Sequence, residues 1–411
     1  MGFGQGVSGL NAAASNLDVI GNNIANANTV GFKSSTAQFA DVYAGSKVGL
    51  GVRVNAVVQS FANGNVAASG RDLDVAISNG NGFFRLVDQD GAVFYSRNGQ
   101  LQKLPDGRLV NASGLQVTGY PAGQTTGVPQ PITISNAQMP PVATTTINAQ
   151  FQLDSRSTVP TQAFATTPAA PPAPAVMPTK DMYNYSNPVT VYDSLGNKVQ
   201  LTAYFSKSGA APTVAGGTDW TMRLVDADGN VVGGTPVTMA FDNAGVMSQT
   251  VPANPVITMP AANGAAALNM QLSLAGSTQF GADNDPKSIV QNGNASGSLL
   301  GFSVQADGTI LGAYSNEKTQ SLGTIALASF ANAEGLKPEG NNAWSATGSS
   351  GPELLGSAGG GLGTLQSNAV EESNVNLSGE LVNLIVAQRN YQANAQTIKA
   401  QDTVLQTLVN I

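Results

Sequence analysis

Any chemistry in this chain would have to come from carboxylates. Its 411 residues hold 25 Asp and Glu and 18 Lys and Arg, but no histidine and no cysteine. Imidazole bases, His-ligated metals and Ser–His–Asp triads are excluded, as are thiolate metal sites, cysteine nucleophiles and disulfides. A carboxylate pair flanking a glycosidic bond would be the remaining hydrolytic design. The pattern argues against it. Asp90, Asp106, Asp228 and Asp307 stand directly before glycine in turn-like sequences, where an aspartate bonds the local backbone, and all seven glutamates fall between Glu317 and Glu380. Asp72 and Asp74 alternate with Leu73 and Val75, so both are expected to face water from one strand surface. Asp226-Ala227-Asp228-Gly229-Asn230 resembles part of a calcium loop. It lacks the further ligand spacing and the closing Glu, and a β-turn is expected. Gly4-Gln5-Gly6-Val7-Ser8-Gly9 matches the dinucleotide pattern, but no strand precedes it, so it reads as a flexible lead-in to a helix. No catalytic, cofactor-binding or metal-binding residue is expected, and the chain is not expected to be an enzyme.

Composition narrows the remaining classes. Only 10% of the residues are charged, against roughly 25% in ordinary soluble domains. The net charge of -7 argues against a nucleic-acid or anionic-membrane partner. No apolar run reaches the roughly 18 residues that a spanning helix needs, so no membrane insertion is expected. Met1 to Leu10 has neither a basic nor an apolar stretch, so no cleavable secretory leader is expected. Gly6 stands where myristoylation needs Ser or Thr. The length allows two to four domains.

The two ends carry the strongest periodicity. Leu10, Ala13, Leu17, Ile20, Ile24 and Ala27 step by three and four, a helical stripe whose other face is largely Asn11, Asn16, Asn22, Asn23 and Asn26. Leu377, Leu381, Leu384, Gln388, Tyr391, Ala395, Ile398, Asp402, Leu405 and Val409 repeat the pattern. The polar Gln388 and Asp402 within that seam could fix register. Ser373 or Asn374 could cap its start. Helices of about 20 and about 35 residues would be ~30 and ~50 Å long. Paired only with each other, they would leave apolar stripe uncovered, which usually marks a partner. The polymerisation interface is therefore assigned to Leu10, Leu17, Ile20, Ile24, Leu377, Leu381, Leu384, Tyr391, Ile398, Leu405 and Val409, buried between neighbouring copies of the chain.

In the middle the period changes to two. Phe83 to Val87 and Val93 to Arg97 flank Asp90-Gly91, and Leu101 to Leu104 and Arg108 to Val110 flank Pro105-Asp106-Gly107. Such pairs between apolar runs signal hairpins. The same pattern returns around Asp307-Gly308, and a zone rich in Thr, Ala, Val and Pro lies between. The expected fold is α+β and multidomain: a terminal α-helical, coiled-coil-like domain formed by both chain ends, with two mainly-β domains nested in the middle. The boundaries expected are 1–32 with 366–411 for the helical domain and 33–70 with 356–365 for a linker region. An inner β domain would take 71–145 with 286–355, and an outer inserted β domain 146–285. Pro168 to Pro178 is expected to be an extended surface loop.

Val7-Ser8-Gly9-Leu10-Asn11-Ala12-Ala13 and Leu17-Asp18-Val19-Ile20-Gly21-Asn22-Asn23-Ile24-Ala25-Asn26 resemble the N-terminal signature of the bacterial flagellar rod and hook axial family. Gly31-Phe32-Lys33, Gly70-Arg71-Asp72-Leu73-Asp74-Val75-Ala76-Ile77 and Phe94-Tyr95-Ser96-Arg97-Asn98-Gly99 are similar to the same family. So is Glu380-Leu381-Val382-Asn383-Leu384-Ile385-Val386-Ala387-Gln388-Arg389-Asn390-Tyr391-Gln392-Ala393-Asn394 at the other end. Length and a single large central insertion favour the hook branch over the shorter rod branch. Phe39 and Tyr43 fall in a stretch resembling the short export motif of early flagellar subunits.

The resemblance implies a structural subunit of a hollow, bendable helical tube, a universal joint carrying torque from rod to filament. It implies extracellular placement in the flagellar hook, with export through a type III apparatus. The implied partners are other copies of the chain, the rod, the hook cap, the hook–filament junction proteins and the export apparatus, with no cofactor. The alternatives are a distal rod or hook-associated axial protein, a secreted β-rich adhesin, and a carboxylate-dependent hydrolase.

Overall fold

The computed structural model describes residues 3–43 and 49–409, with side chains to residue 407. The chain divides into two compact units. One holds Ala137–Leu299 with Tyr314–Lys318; the other holds the chain before Ala137, Leu300–Ala313, and the chain from Thr319 onward.

The central unit is two five-stranded sheets. In one, Tyr185–Tyr192, Lys198–Lys207, Thr218–Val225, Val231–Phe241 and Met247–Val251 follow one another antiparallel. The other is built around Thr146–Asp154, which pairs with Leu268–Ser273, Thr278–Phe280 and Asp285–Gln291. Alternation puts Ile147, Ala149, Phe151, Leu268, Met270 and Leu272 on one face, where they meet Phe205, Trp220, Met239 and Phe241 of the first sheet. The Phe151 and Phe205 rings lie 4.7 Å apart. The aspartates bond the turns: the Asp193, Asp226 and Asp242 carboxylates each accept backbone N–H groups two and four residues on. The calcium-like stretch is therefore the turn its spacing suggested. Pro168 to Pro178 runs almost wholly exposed.

In the other unit a twelve-stranded sheet interleaves early and late segments. Phe83–Val87 pairs with Val93–Ser96, Gln116–Tyr120 and Thr319–Ser329, and Ala343–Ser345 pairs with Val93–Ser96. Phe61, Phe83, Tyr95, Phe330 and Trp344 pack edge to face over it. The turns at Asp90-Gly91 and Asp106-Gly107 form as their sequences require. Helices α1, Phe3–Ala25, and α2, Leu377–Val409, pack against each other antiparallel, Gly6 meeting Ile398 and Asn23 meeting Glu380.

Several local expectations are corrected. The glycine-rich start is not a lead-in, because α1 already runs from Phe3. Residues 33–70 are not a plain linker. They hold an antiparallel hairpin of β1, Ser35–Val42, and β2, Gly51–Gln59, then β3, Val66–Ala68, paired with Ala369–Glu371. Strand β1 is mostly small and polar, but Val52 and Val54 alternate with Arg53 and Asn55 in β2, a period-two signal within the stretch read as linker. Asp72 is exposed but Asp74 is buried, because β4, Val75–Ser78, is covered on both faces and Asp74 leads into it. Helix α2 is capped by neither Ser373 nor Asn374. The Asn376 side chain accepts from Gly379 N at 3.1 Å.

Candidate functional site

Four segments far apart in the chain meet in a knot of buried charge. Gly31 turns with φ of +70°, where a side chain would strike the backbone of Asn98, and its N–H donates to Glu371 O at 2.8 Å. Two residues on, the Lys33 ammonium donates to Glu371 Oε1 at 2.6 Å and to Ala62 O at 2.8 Å. Gly64 N donates to the same carboxylate oxygen. The Arg97 guanidinium lies 3.5 Å from Glu371 Oε2, donates to Asn63 Oδ1 and Gly80 O, and stacks over the Phe83 ring. Lys33, Arg97 and Glu371 are at most 1% exposed. Two cations thus share one carboxylate. Burial pulls both Lys33 and Arg97 below their ordinary pKa, and Glu371 opposes the shift. Ions so enclosed hold only while every partner is present, so the knot fixes where the chain leaves α1 and where it enters α2.

Polar groups also hold the helices to the hairpin. The Asn23 side chain, 1% exposed, pairs with the backbone of Ser35 in both directions, at 2.8 and 2.9 Å, and donates to Glu380 on α2 at 3.4 Å. Val52 N of β2 donates to Ser8 Oγ of α1. Asn374 accepts from Ser34 N and donates to Ser60 O and Ala62 O. The α1–α2 seam itself is made of small and polar residues. A Cβ on Gly6 would lie 3.0 Å from Ile398, and one on Gly9 would lie 2.7 Å from the Asn394 amide oxygen.

The assigned interface residues scatter over this arrangement. On α1, Ile20 is buried and Leu10, Leu17 and Ile24 are half-buried. On α2, Leu384 and Ile398 are half-buried, while Leu377, Leu381, Tyr391 and Leu405 are exposed. Val409's side chain lies outside the described residues. The face that meets α1 runs instead through Glu380, Asn383, Ala387, Asn390, Asn394 and Ile398. The apolar stripe is turned away from it, joined by Val382, Ile385 and Val386, about half exposed. Phe39, on β1, and Tyr43, just past it, are exposed. Asn23, Lys33, Arg97 and Glu371 were not assigned as site residues. Asn23 stands among four other asparagines, and nothing in local spacing links Lys33 to Glu371. Among the described residues no cluster of three Asp or Glu could hold a metal ion.

Four family descriptions match successive stretches. They are "Flagella basal body rod protein" over 5–33, "Flagellar hook protein FlgE/F/G D1 domain" over 76–162, "Flagellar basal body protein FlaE D2 domain" over 152–294, and "Flagellar basal body rod FlgEFG protein C-terminal" over 366–411. The chain is 49% identical to the flagellar hook protein FlgE of Escherichia coli K12 and 47% identical to that of Salmonella typhimurium LT2, each alignment covering all of both chains. It is 31% identical to that of Rhizobium meliloti, over 99% of this chain and 97% of the other. The fold is similar to the crystal structure of Helicobacter pylori flagellar hook protein FlgE2, with a TM-score of 0.54 at 15% identity, covering 74% of this chain and 99% of that one.

Proposed function

This chain belongs to the family of flagellar hook proteins, and we propose that it is the structural subunit of a hook: copies polymerise into a hollow, bendable tube that passes torque from rod to filament. The observation that carries this reading is the division of labour on α2. One face is satisfied within the chain by α1, through small and polar contacts. The apolar face through Leu377, Leu381 and Ile385 is left open. A contact between unlike faces of successive copies grows as an open helix when its rotation does not close into a ring.

The terminal helices, 1–32 with 366–411, would act as the polymerising domain, and 33–70 with 356–365 as the connection. The β domains, 71–145 with 286–355 and 146–285, would form the outer layers. Surfaces of Thr, Ser, Asn and Gly there can exchange weak, water-bridged contacts as the tube bends. The specific partners would be rod, cap and junction subunits and the type III export apparatus, which would read the Phe39–Tyr43 stretch. No catalytic activity is ascribed to the chain. The test is polymerisation of the purified full-length protein, followed by electron microscopy. Hollow tubes are expected, and a protein that stays monomeric at all concentrations would refute the reading.

A further inference from the structure

The open face of α2 carries a charge, and a groove elsewhere on the same unit carries its opposite. Asp18 is the one ionisable residue of α1. It is exposed and enters no ion pair among the described residues. It stands at the edge of an open groove of about 580 Å³ whose apolar walls include Val19, Phe32, Val57 and Trp344. Val57 is 53% exposed within it. On α2, Arg389 is likewise exposed and without an ion pair among the described residues. It lies one turn beyond Ile385 and Val386 and two turns beyond Val382.

The two features match in length and in the sign of their exposed charges. From Asp18 to Ala25, the end of α1, the helix advances about 10 Å along the groove; from Arg389 back to Val382, α2 spans about 10 Å. The α2 face is an apolar strip ending in one exposed cation; the groove sets Val19, Phe32 and Val57 among Asn22, Asn26, Asn341 and Asn342, with exposed Asp18 at one end, and the two exposed charges are opposite. Within one copy they do not pair, because α1 meets the other face of α2.

We propose that the groove receives the outer face of α2 from a neighbouring copy, antiparallel to α1, with Arg389 of one copy bonded to Asp18 of the next. The contact rests on the hook reading and names the surfaces that join successive copies. The charge pair fixes register and the apolar strip supplies area. Like charges placed opposite each other would repel strongly enough to suppress the wrong pairing.

The test uses purified full-length protein, concentrated with a neutral crowding agent at low ionic strength, where charges are not screened. Asp18→Arg and Arg389→Asp should each raise the concentration at which tubes first form by about tenfold or more. An equimolar mixture of the two variants should restore assembly, since each then supplies the charge the other lacks. Lys399→Glu, which alters another exposed cation of α2, should assemble like the unaltered chain. Asp18 and Arg389 are exposed, and unchanged Trp344 fluorescence in monomers that also carry Trp220→Phe shows that folding is intact. Single variants that assemble normally, or a mixture that stays as impaired as its components, would overturn the contact alone. Absence of tubes from the unaltered chain would overturn the hook reading and this contact together.

Discussion

The central sandwich and the terminal region solve opposite problems. The sandwich is finished by its own apolar interior: Phe151, Phe205, Trp220, Met239 and Phe241 are fully buried, and its polar groups bond the turns. The terminal region reverses this arrangement. Its interior is stapled by Lys33, Arg97, Glu371 and Asn23, while Leu381, Val382 and Ile385 stand in water. Apolar burial is non-directional and stabilises any close packing. A buried ion network instead tolerates few geometries, because each charge needs its partner in place. A region that must present its apolar surface to another molecule cannot also use that surface to hold itself together. Directional polar contacts are the means left to it.

The largest effect should come from removing the region outright. A chain lacking residues 1–25 and 377–411 should form no tubes at any concentration while keeping its sandwich folded. Normal cylinders from such a truncate, seen by negative-stain microscopy, would break the comparison. Next come two substitutions of similar size and different address. Phe205→Ala should destabilise the sandwich by about 3–5 kcal/mol. Glu371→Ala should destabilise the terminal unit by about 3–5 kcal/mol, because it strands two buried cations. The chain's two tryptophans separate the effects, since Trp220 lies in one unit and Trp344 in the other. Denaturant titrations of Trp220→Phe and Trp344→Phe backgrounds should each report only its own lesion. Replacing Lys33, Arg97 and Glu371 together by Met should recover most of the loss. Smaller again is Ile385→Asn, which should change monomer stability by no more than about 0.5 kcal/mol yet weaken assembly. Equal damage to both would mean that Ile385 is already covered within the chain.

The same contrast governs what could be read from the sequence. The hairpins were legible because an Asp-Gly pair acts on its immediate neighbours, and the terminal helices because a stripe repeats within one segment. The apolar seam of α2 was found, but not the direction it faces. Periodicity marks a stripe without naming its partner, and the face toward α1 is built from Asn383, Asn390, Asn394 and Ala387, which carry no hydrophobic signal. The knot was invisible for another reason. Lys33 and Glu371 are 338 positions apart, and each looks like an ordinary surface charge in its own stretch. Asp72 and Asp74 fell on one side by strict alternation, but only Asp74 is enclosed, because a second layer of chain covers β4 on the face expected to be wet.

The smallest predicted effect is a difference in how the two regions respond to pH. In the sandwich, hydrogen bonds from Arg156 hold Asp154 below its usual 3.8. A depressed carboxylate adds stability that is present above 3.8 and lost as pH falls through the lowered value. Lys33 has the opposite sign. Burial lowers it from 10.5, with Glu371 opposing, so the unfolded chain binds the extra proton between the lowered value and 10.5. Across that window Lys33's contribution must rise with pH. Other groups also titrate there, so the informative quantity is wild type minus Lys33→Met, both carrying Trp220→Phe and followed by Trp344 fluorescence in urea from about pH 7 to about pH 10. The difference should move in favour of wild type as pH rises. Movement the other way would mean that Glu371 holds the ammonium charged more strongly than burial discharges it. The knot would then be a net attraction like the exposed Arg156–Asp154 pair, and the contrast between the two regions would be one of burial alone.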